Sequence, residues 1–120
     1  MSSIERRAYL RYNVSIPVEL IDPLGTRFKT STRDISLGGM QVDCESALLS
    51  QLLPNGIQTA PGDLVILTAS FENPKTSEKI EIKSHVLGVL RLAESEFSIR
   101  FTFTDIDQVQ QDLLQRLLNK

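Results

Sequence analysis

With Cys44 as its only cysteine, the chain cannot form an internal disulfide, a thiol pair or a cysteine-rich zinc site, and a reducing compartment suits it. His85 is likewise the only histidine, so a metal centre built on several imidazoles is excluded, and the sequence shows no nucleophile and acid pattern that would assemble a triad around it. Tryptophan is absent and aromatics make up 6% of the residues, too few for the stacking platform of a single-strand nucleic-acid binder. No apolar run approaches the roughly 20 residues that a membrane-spanning helix needs, so direct membrane insertion is not expected. Arg6 and Arg7 are followed by no apolar stretch, so the beginning of the chain does not read as a secretory signal and a cytoplasmic location is expected.

Positive charge falls only slightly short of negative overall, but it is unevenly placed. The net charge is -2, yet residues 1 to 33 carry +3 through Arg6, Arg7, Arg11, Arg27, Lys29 and Arg33 against Glu5, Glu19 and Asp22. The remainder is therefore acidic. This excludes a uniformly basic nucleic-acid binder and leaves one local patch to meet an anion.

What is present is the patterning of a small, mainly β domain. At 120 residues the chain is long enough for one hydrophobic core. Val14, Ile16, Val18 and Leu20 alternate with polar residues, which predicts a half-buried strand. Pro17 has no N–H to donate, so that strand should have a free edge there. Asp22-Pro-Leu-Gly25 predicts a turn, and Thr26 to Arg33 a weakly buried second strand. Alternation resumes from Gly39 to Asp43 and again from Leu64 to Phe71. Along Lys79 to Leu90 it places Ile80, Ile82, Val86 and Leu90 on one face and Lys79, Glu81, Lys83 and His85 on the other. Phe97, Ile99, Phe101 and Phe103 bring three of the five phenylalanines to one face of a last strand. A short helix is expected from Glu45 to Leu53, stopped by Pro54-Asn-Gly56. Ile106, Val109, Leu113, Leu114, Leu117 and Leu118 form an apolar helical stripe, with Asp105 and Gln108 as its capping box. Short antiparallel strands followed by one amphipathic helix describe a small barrel or sandwich with a helix laid against it.

Two segments carry recognition chemistry. Arg6-Arg-Ala-Tyr-Leu-Arg11 offers guanidinium forks that suit phosphates, the O6/N7 edge of guanine or the face of a base; a solvated basic terminus is the alternative reading. Asp34-Ile-Ser-Leu-Gly-Gly39, read as a loop between strands, displays a carboxylate and a hydroxyl two residues apart, then two glycines that permit unusual dihedrals and close approach to a ligand. Asp34 suits the N1–H and N2–H donors of guanine, while Ser36 and the backbone near Gly38 and Gly39 suit a phosphate. A hairpin loop chosen for its glycines is the plain alternative.

Taken together, Arg7-Ala-Tyr-Leu-Arg11, a strand pair and then Asp34-x-Ser-x-x-Gly39 resemble the PilZ domain family, and the likeness extends to Ser98-Ile-Arg-Phe101 and the final helix. That resemblance implies a six-stranded antiparallel β-barrel of the split-barrel type with a C-terminal amphipathic α-helix, divided into an arginine arm (1–13), barrel (14–104) and helix (105–119). It implies a non-catalytic receptor for cyclic di-GMP, with no other cofactor and no metal. Arg7 and Arg11 would clamp the ligand, Asp34 would read a guanine, and Ser36, Gly38 and Gly39 would shape the surface beneath. A basic residue at Arg6 goes, in the family, with a stacked pair of ligand molecules. The arm would fold over the barrel on binding and pass the signal to a protein effector in motility, biofilm or exopolysaccharide control. A PilZ-like adaptor acting through protein contacts, with weak or no nucleotide binding, is the competing implication. Ser98 departs from the glycine common at that position, and residues 45–61 exceed the usual short connection.

Other chemistry-bearing residues have structural readings. His85 is expected on the surface and Cys44 as an inert thiol. Glu94 and Glu96 belong to a turn before a strand, and Asp105 and Asp107 to a helix start, where acids favour the dipole.

Overall fold

The computed structural model describes residues 10–54 and 65–118. Six strands, β1 (Pro17–Ile21), β2 (Arg27–Ile35), β3 (Gly39–Glu45), β4 (Ile66–Glu72), β5 (Lys79–Ala93) and β6 (Glu96–Phe103), close into an antiparallel barrel in the order β1-β2-β3-β6-β5-β4. Two helices complete it, α1 (Ser46–Leu52) after β3 and α2 (Gln108–Leu118) at the end. The expected fold class is thus the observed one.

Period-2 alternation builds the barrel interior because directly opposed residues of antiparallel strands share a face. Leu20, Ala69 and Ile82 are paired across β1, β4 and β5, and all three are fully buried. Phe71 meets Phe103 edge to face at 6.4 Å between ring centres, a preferred arrangement of aromatic quadrupoles. Leu114, Leu117 and Leu118 of α2 belong to the same core. The first turn is built as its residues dictate: Gly25 takes φ +87°, and the Asp22 carboxylate accepts from the N–H groups of Leu24 and Thr26. Pro17 lies beyond the β1–β4 ladder, which runs from Glu19 to Ile21.

Four sequence expectations are corrected. Val109 is 66% exposed; five residues before Leu114, it lies about 140° round the helix from the buried stripe. The capping box sits two residues later than expected. Asp107 accepts from the Gln110 N–H at 2.7 Å and Gln110 Oε1 accepts from the Asp107 N–H at 2.9 Å, whereas Asp105 has φ +54° in the preceding bend. Replacing Asp107 by Ala should therefore cost about 1 kcal/mol in denaturant unfolding, and Asp105→Ala should remove no cap. Leu90 is 57% exposed because an irregularity between Val86 and Gly88 reverses the alternation, so that Val89, opposite Ile99, turns inward instead. His85 is half-buried rather than on the surface, and its Nδ1 is enclosed without a hydrogen-bond partner.

Candidate ligand-binding cleft

A bulge sets the position of Asp34. Strict alternation would put Thr32 and Asp34 on the same face, but the β2–β3 register shifts between them: Thr32 opposes Val42, and Asp34 opposes Gln41. Thr32 accordingly points inward, where its hydroxyl donates to the Val14 carbonyl and accepts from the Ile16 N–H. Asp34 is turned to the outer face. Bulges commonly re-aim a side chain in this way.

Half of the segment read as a loop is strand. Asp34 and Ile35 end β2 and Gly39 begins β3, leaving a turn at Ser36 to Gly38. That turn closes on itself: the Ser36 N–H donates to the Gly39 carbonyl, the Gly38 N–H donates to Ser36 Oγ, and Ser36 is 5% exposed. Ser36 thus holds the backbone in shape. Neither Gly38 nor Gly39 adopts positive φ, contrary to the expectation of unusual dihedrals. Gly39 is needed for close approach instead, because a Cβ there would lie 2.2 Å from the Phe101 carbonyl oxygen.

Arg11 is placed by its neighbour. Tyr12 exchanges two backbone hydrogen bonds with Ile35, at 2.8 and 3.0 Å, and this bridge sets Arg11 beside the β2–β3 turn. The Arg11 guanidinium donates to Asp34 Oδ1 at 2.5 Å, with side-chain exposures of 62% and 13%. Next to this pair a cleft of about 270 Å³ is lined by Arg11, Ser36, Gly38, Gly39, Leu87, Phe101 and Thr102. Arg11, Asp34, Ser36, Gly38 and Gly39 are therefore brought together, while Arg6 and Arg7 lie outside the described residues. Leu87, Phe101 and Thr102 are not among the site candidates of the sequence: Phe101 reads there only as core, and Leu87 is exposed at the β5 irregularity, which alternation cannot reveal.

The remaining candidates stay apart from the cleft. Cys44 is buried in the core, and burial, with Asp43 beside it, pushes its thiol up from the ordinary value, which keeps it protonated and unreactive at neutral pH. Among the described residues no cluster of three or more His, Cys, Asp or Glu could hold a metal ion, and no helix is long and apolar enough to cross a membrane. A larger depression of about 370 Å³ beside β1 and β4 has the mixed charges Glu19, Lys29, Glu72 and Lys79 on its walls and contains none of the motif residues.

Solved structures share this architecture at low identity. The PilZ domain of CeSA from a cellulose-synthesizing bacterium superposes with a TM-score of 0.55 at 18% identity, covering 91% of this chain and 94% of that one. The PilZ domain of YcgR from Escherichia coli, solved with c-di-GMP, gives 0.60 at 14% identity, covering 94% and 88%. The inhibitor of motility MotI of Bacillus subtilis gives 0.63 at 20% identity; the match covers 96% of this chain and 52% of that longer protein. Comparison with curated proteins gives no significant match. The PilZ domain family model matches residues 5–120, which takes in the arginine segment, the whole barrel and α2; this chain belongs to the PilZ domain family.

Proposed function

We propose that this protein is a receptor for cyclic di-GMP that binds the dinucleotide between its arginine arm and the cleft beside the β2–β3 turn. The observation that carries the reading is the Arg11–Asp34 pair at the cleft edge. It holds a guanidinium fork and a carboxylate side by side, the complementary groups needed for a phosphate and for the N1–H and N2–H donors of guanine. The E. coli YcgR domain, of the same fold, was solved with this ligand.

In the empty protein Arg11 balances the charge of Asp34. A pair with one largely exposed partner contributes only about 0–1 kcal/mol, so a doubly anionic ligand can recruit Arg11 to its phosphate and offer guanine donors to Asp34 in exchange. Arg7, and Arg6 where a stacked ligand pair is bound, complete the clamp from the arm. Ser36, Gly38 and Gly39 act by fixing the turn and keeping the surface low. Binding draws the arm over the ligand from the anchor already present at Tyr12, and the combined surface of arm and barrel is what a protein effector recognises. The function is recognition without catalysis.

Calorimetric titration tests this directly. Cyclic di-GMP should bind with a Kd of about 1 μM or tighter, equivalent to roughly 8 kcal/mol, while GMP and single-stranded RNA should give no comparable heat. Hydrogen exchange in residues 1–13 should slow at saturation. Absence of heat from folded wild-type protein rejects the receptor reading in favour of an adaptor that works through protein contacts alone.

A further inference from the structure

Beyond the motif, the outer face of the barrel holds a row of residues that the ladders place side by side. Asp34 opposes Gln41, Gln41 opposes Arg100, and Arg100 opposes Gly88. The row crosses β2, β3, β6 and β5 next to the cleft, whose Thr102 lies two residues along β6 from Arg100 and whose Leu87 precedes Gly88. At roughly 5 Å per strand, Arg100 stands about 10 Å from Asp34 at the backbone.

Arg100 is distinct among the described arginines. Arg11, Arg27, Arg33 and Arg116 each face a carboxylate, and Arg91 donates to the carbonyls of Ala93 and Glu94 and lies over Phe97. The Arg100 side chain is exposed, and no ion pair or hydrogen bond ties it to any other described residue. Its neighbour Gln41 is engaged elsewhere, donating to the buried Ser98 hydroxyl at 2.8 Å. Beside it, a Cβ on Gly88 would meet nothing within 4 Å. The glycine is thus not required by packing, and its bare backbone leaves a flat, open floor between the exposed Arg100 guanidinium and the exposed Leu87. An exposed planar cation, an open floor and an apolar wall fit a planar, acceptor-rich heterocycle.

We propose that Arg100, Gly88 and Leu87 form a second guanine-reading subsite, which takes the base that Asp34 does not read. Arg100 presents its fork to the O6 and N7 acceptors of that guanine, the ring lies over Gly88, and its edge packs against Leu87. The subsite rests on the receptor reading above and extends it across the sheet. It also predicts base selectivity: adenine offers an amino donor where guanine has O6, and a guanidinium cannot accept it.

The test titrates wild type, Arg100→Ala and Gly88→Val with cyclic di-GMP and cyclic di-AMP, and checks folding by thermal melts. Both variants should melt as wild type does, since Arg100 is exposed and has no partner among the described residues and position 88 is open. Arg100→Ala should weaken cyclic di-GMP binding by about tenfold to a hundredfold, the discrimination expected of one bidentate contact, and should narrow the preference for cyclic di-GMP over cyclic di-AMP by a similar factor. Gly88→Val should weaken binding by raising the floor. No binding by wild type removes the receptor reading and this subsite with it. Binding by wild type that is unchanged in Arg100→Ala overturns the subsite alone, as does an equal loss for both dinucleotides, which makes Arg100 a phosphate contact.

Discussion

Gly39→Ala is expected to lower the thermal unfolding midpoint by roughly 10–15 °C, from a cost of about 3 kcal/mol. The added methyl would stand 2.2 Å from the Phe101 carbonyl oxygen and 3.2 Å from the Thr102 Cα. Both are backbone atoms of β6, which is held on one side by β3 and on the other by β5. No flexible side chain can yield, so relief requires opening the β3–β6 seam where the barrel closes beside the cleft. The Gly38 carbonyl would move with it, and that oxygen accepts from the Phe103 N–H and the Thr102 hydroxyl. Gly88→Ala is the internal control: with open space at its Cβ, it should shift the midpoint by no more than about 2 °C. If Gly39→Ala melts as wild type does, the close-approach account is wrong. If it melts low as expected, Gly39 serves the binding motif through the fold, and its replacement should weaken binding by distorting the β3–β6 seam rather than by removing a ligand contact.

The legible part of this protein in its sequence was the part governed by local period and local turn chemistry. Ile99, Phe101 and Phe103 alternate and are buried; Asp22 and Gly25 make the turn that their chemistry predicts; the leucines of α2 face the core. What alternation could not convey was register. The shift between Thr32 and Asp34 turns the carboxylate outward, and the one between Val86 and Gly88 exposes Leu90 and brings Leu87 to the cleft. Each depends on which residue a partner strand presents, and that is decided non-locally. The helix start erred for a related reason: Asp105 and Asp107 are chemically equal caps, and only the bend at Asp105, φ +54°, selects the second. Arg11, Asp34, Ser36, Gly38 and Gly39 were identifiable as a set from motif spacing, and the structure gathers them. Alternation with Ile99 and Phe101 marks Arg100 only as facing away from the core, because a single sequence does not reveal that its neighbours on the sheet are Gln41 and Gly88.

Arg11→Ala should weaken cyclic di-GMP binding by at least about a hundredfold, or roughly 2.7 kcal/mol, while costing less than about 1 kcal/mol of stability. The asymmetry follows from where the side chain lies. Its guanidinium is mostly solvent-exposed in the empty protein, and its pairing with Asp34 is largely offset by hydration. In the proposed complex the same group would face a phosphodiester inside a cleft from which water is displaced, where a charge-assisted fork is stronger and its absence would leave an anion uncompensated. Arg11→Lys preserves the charge but not the fork, so it should recover only part of the affinity. Asp34→Ala should also bind weakly, by a different route: it frees Arg11 for phosphate but removes the acceptor of the guanine donors, so guanine selectivity falls along with affinity. Titration of the three variants, with circular dichroism confirming the fold, separates these roles. Wild-type affinity in Arg11→Ala overturns the role of Arg11 in the clamp, because no other described arginine lines this cleft to replace it.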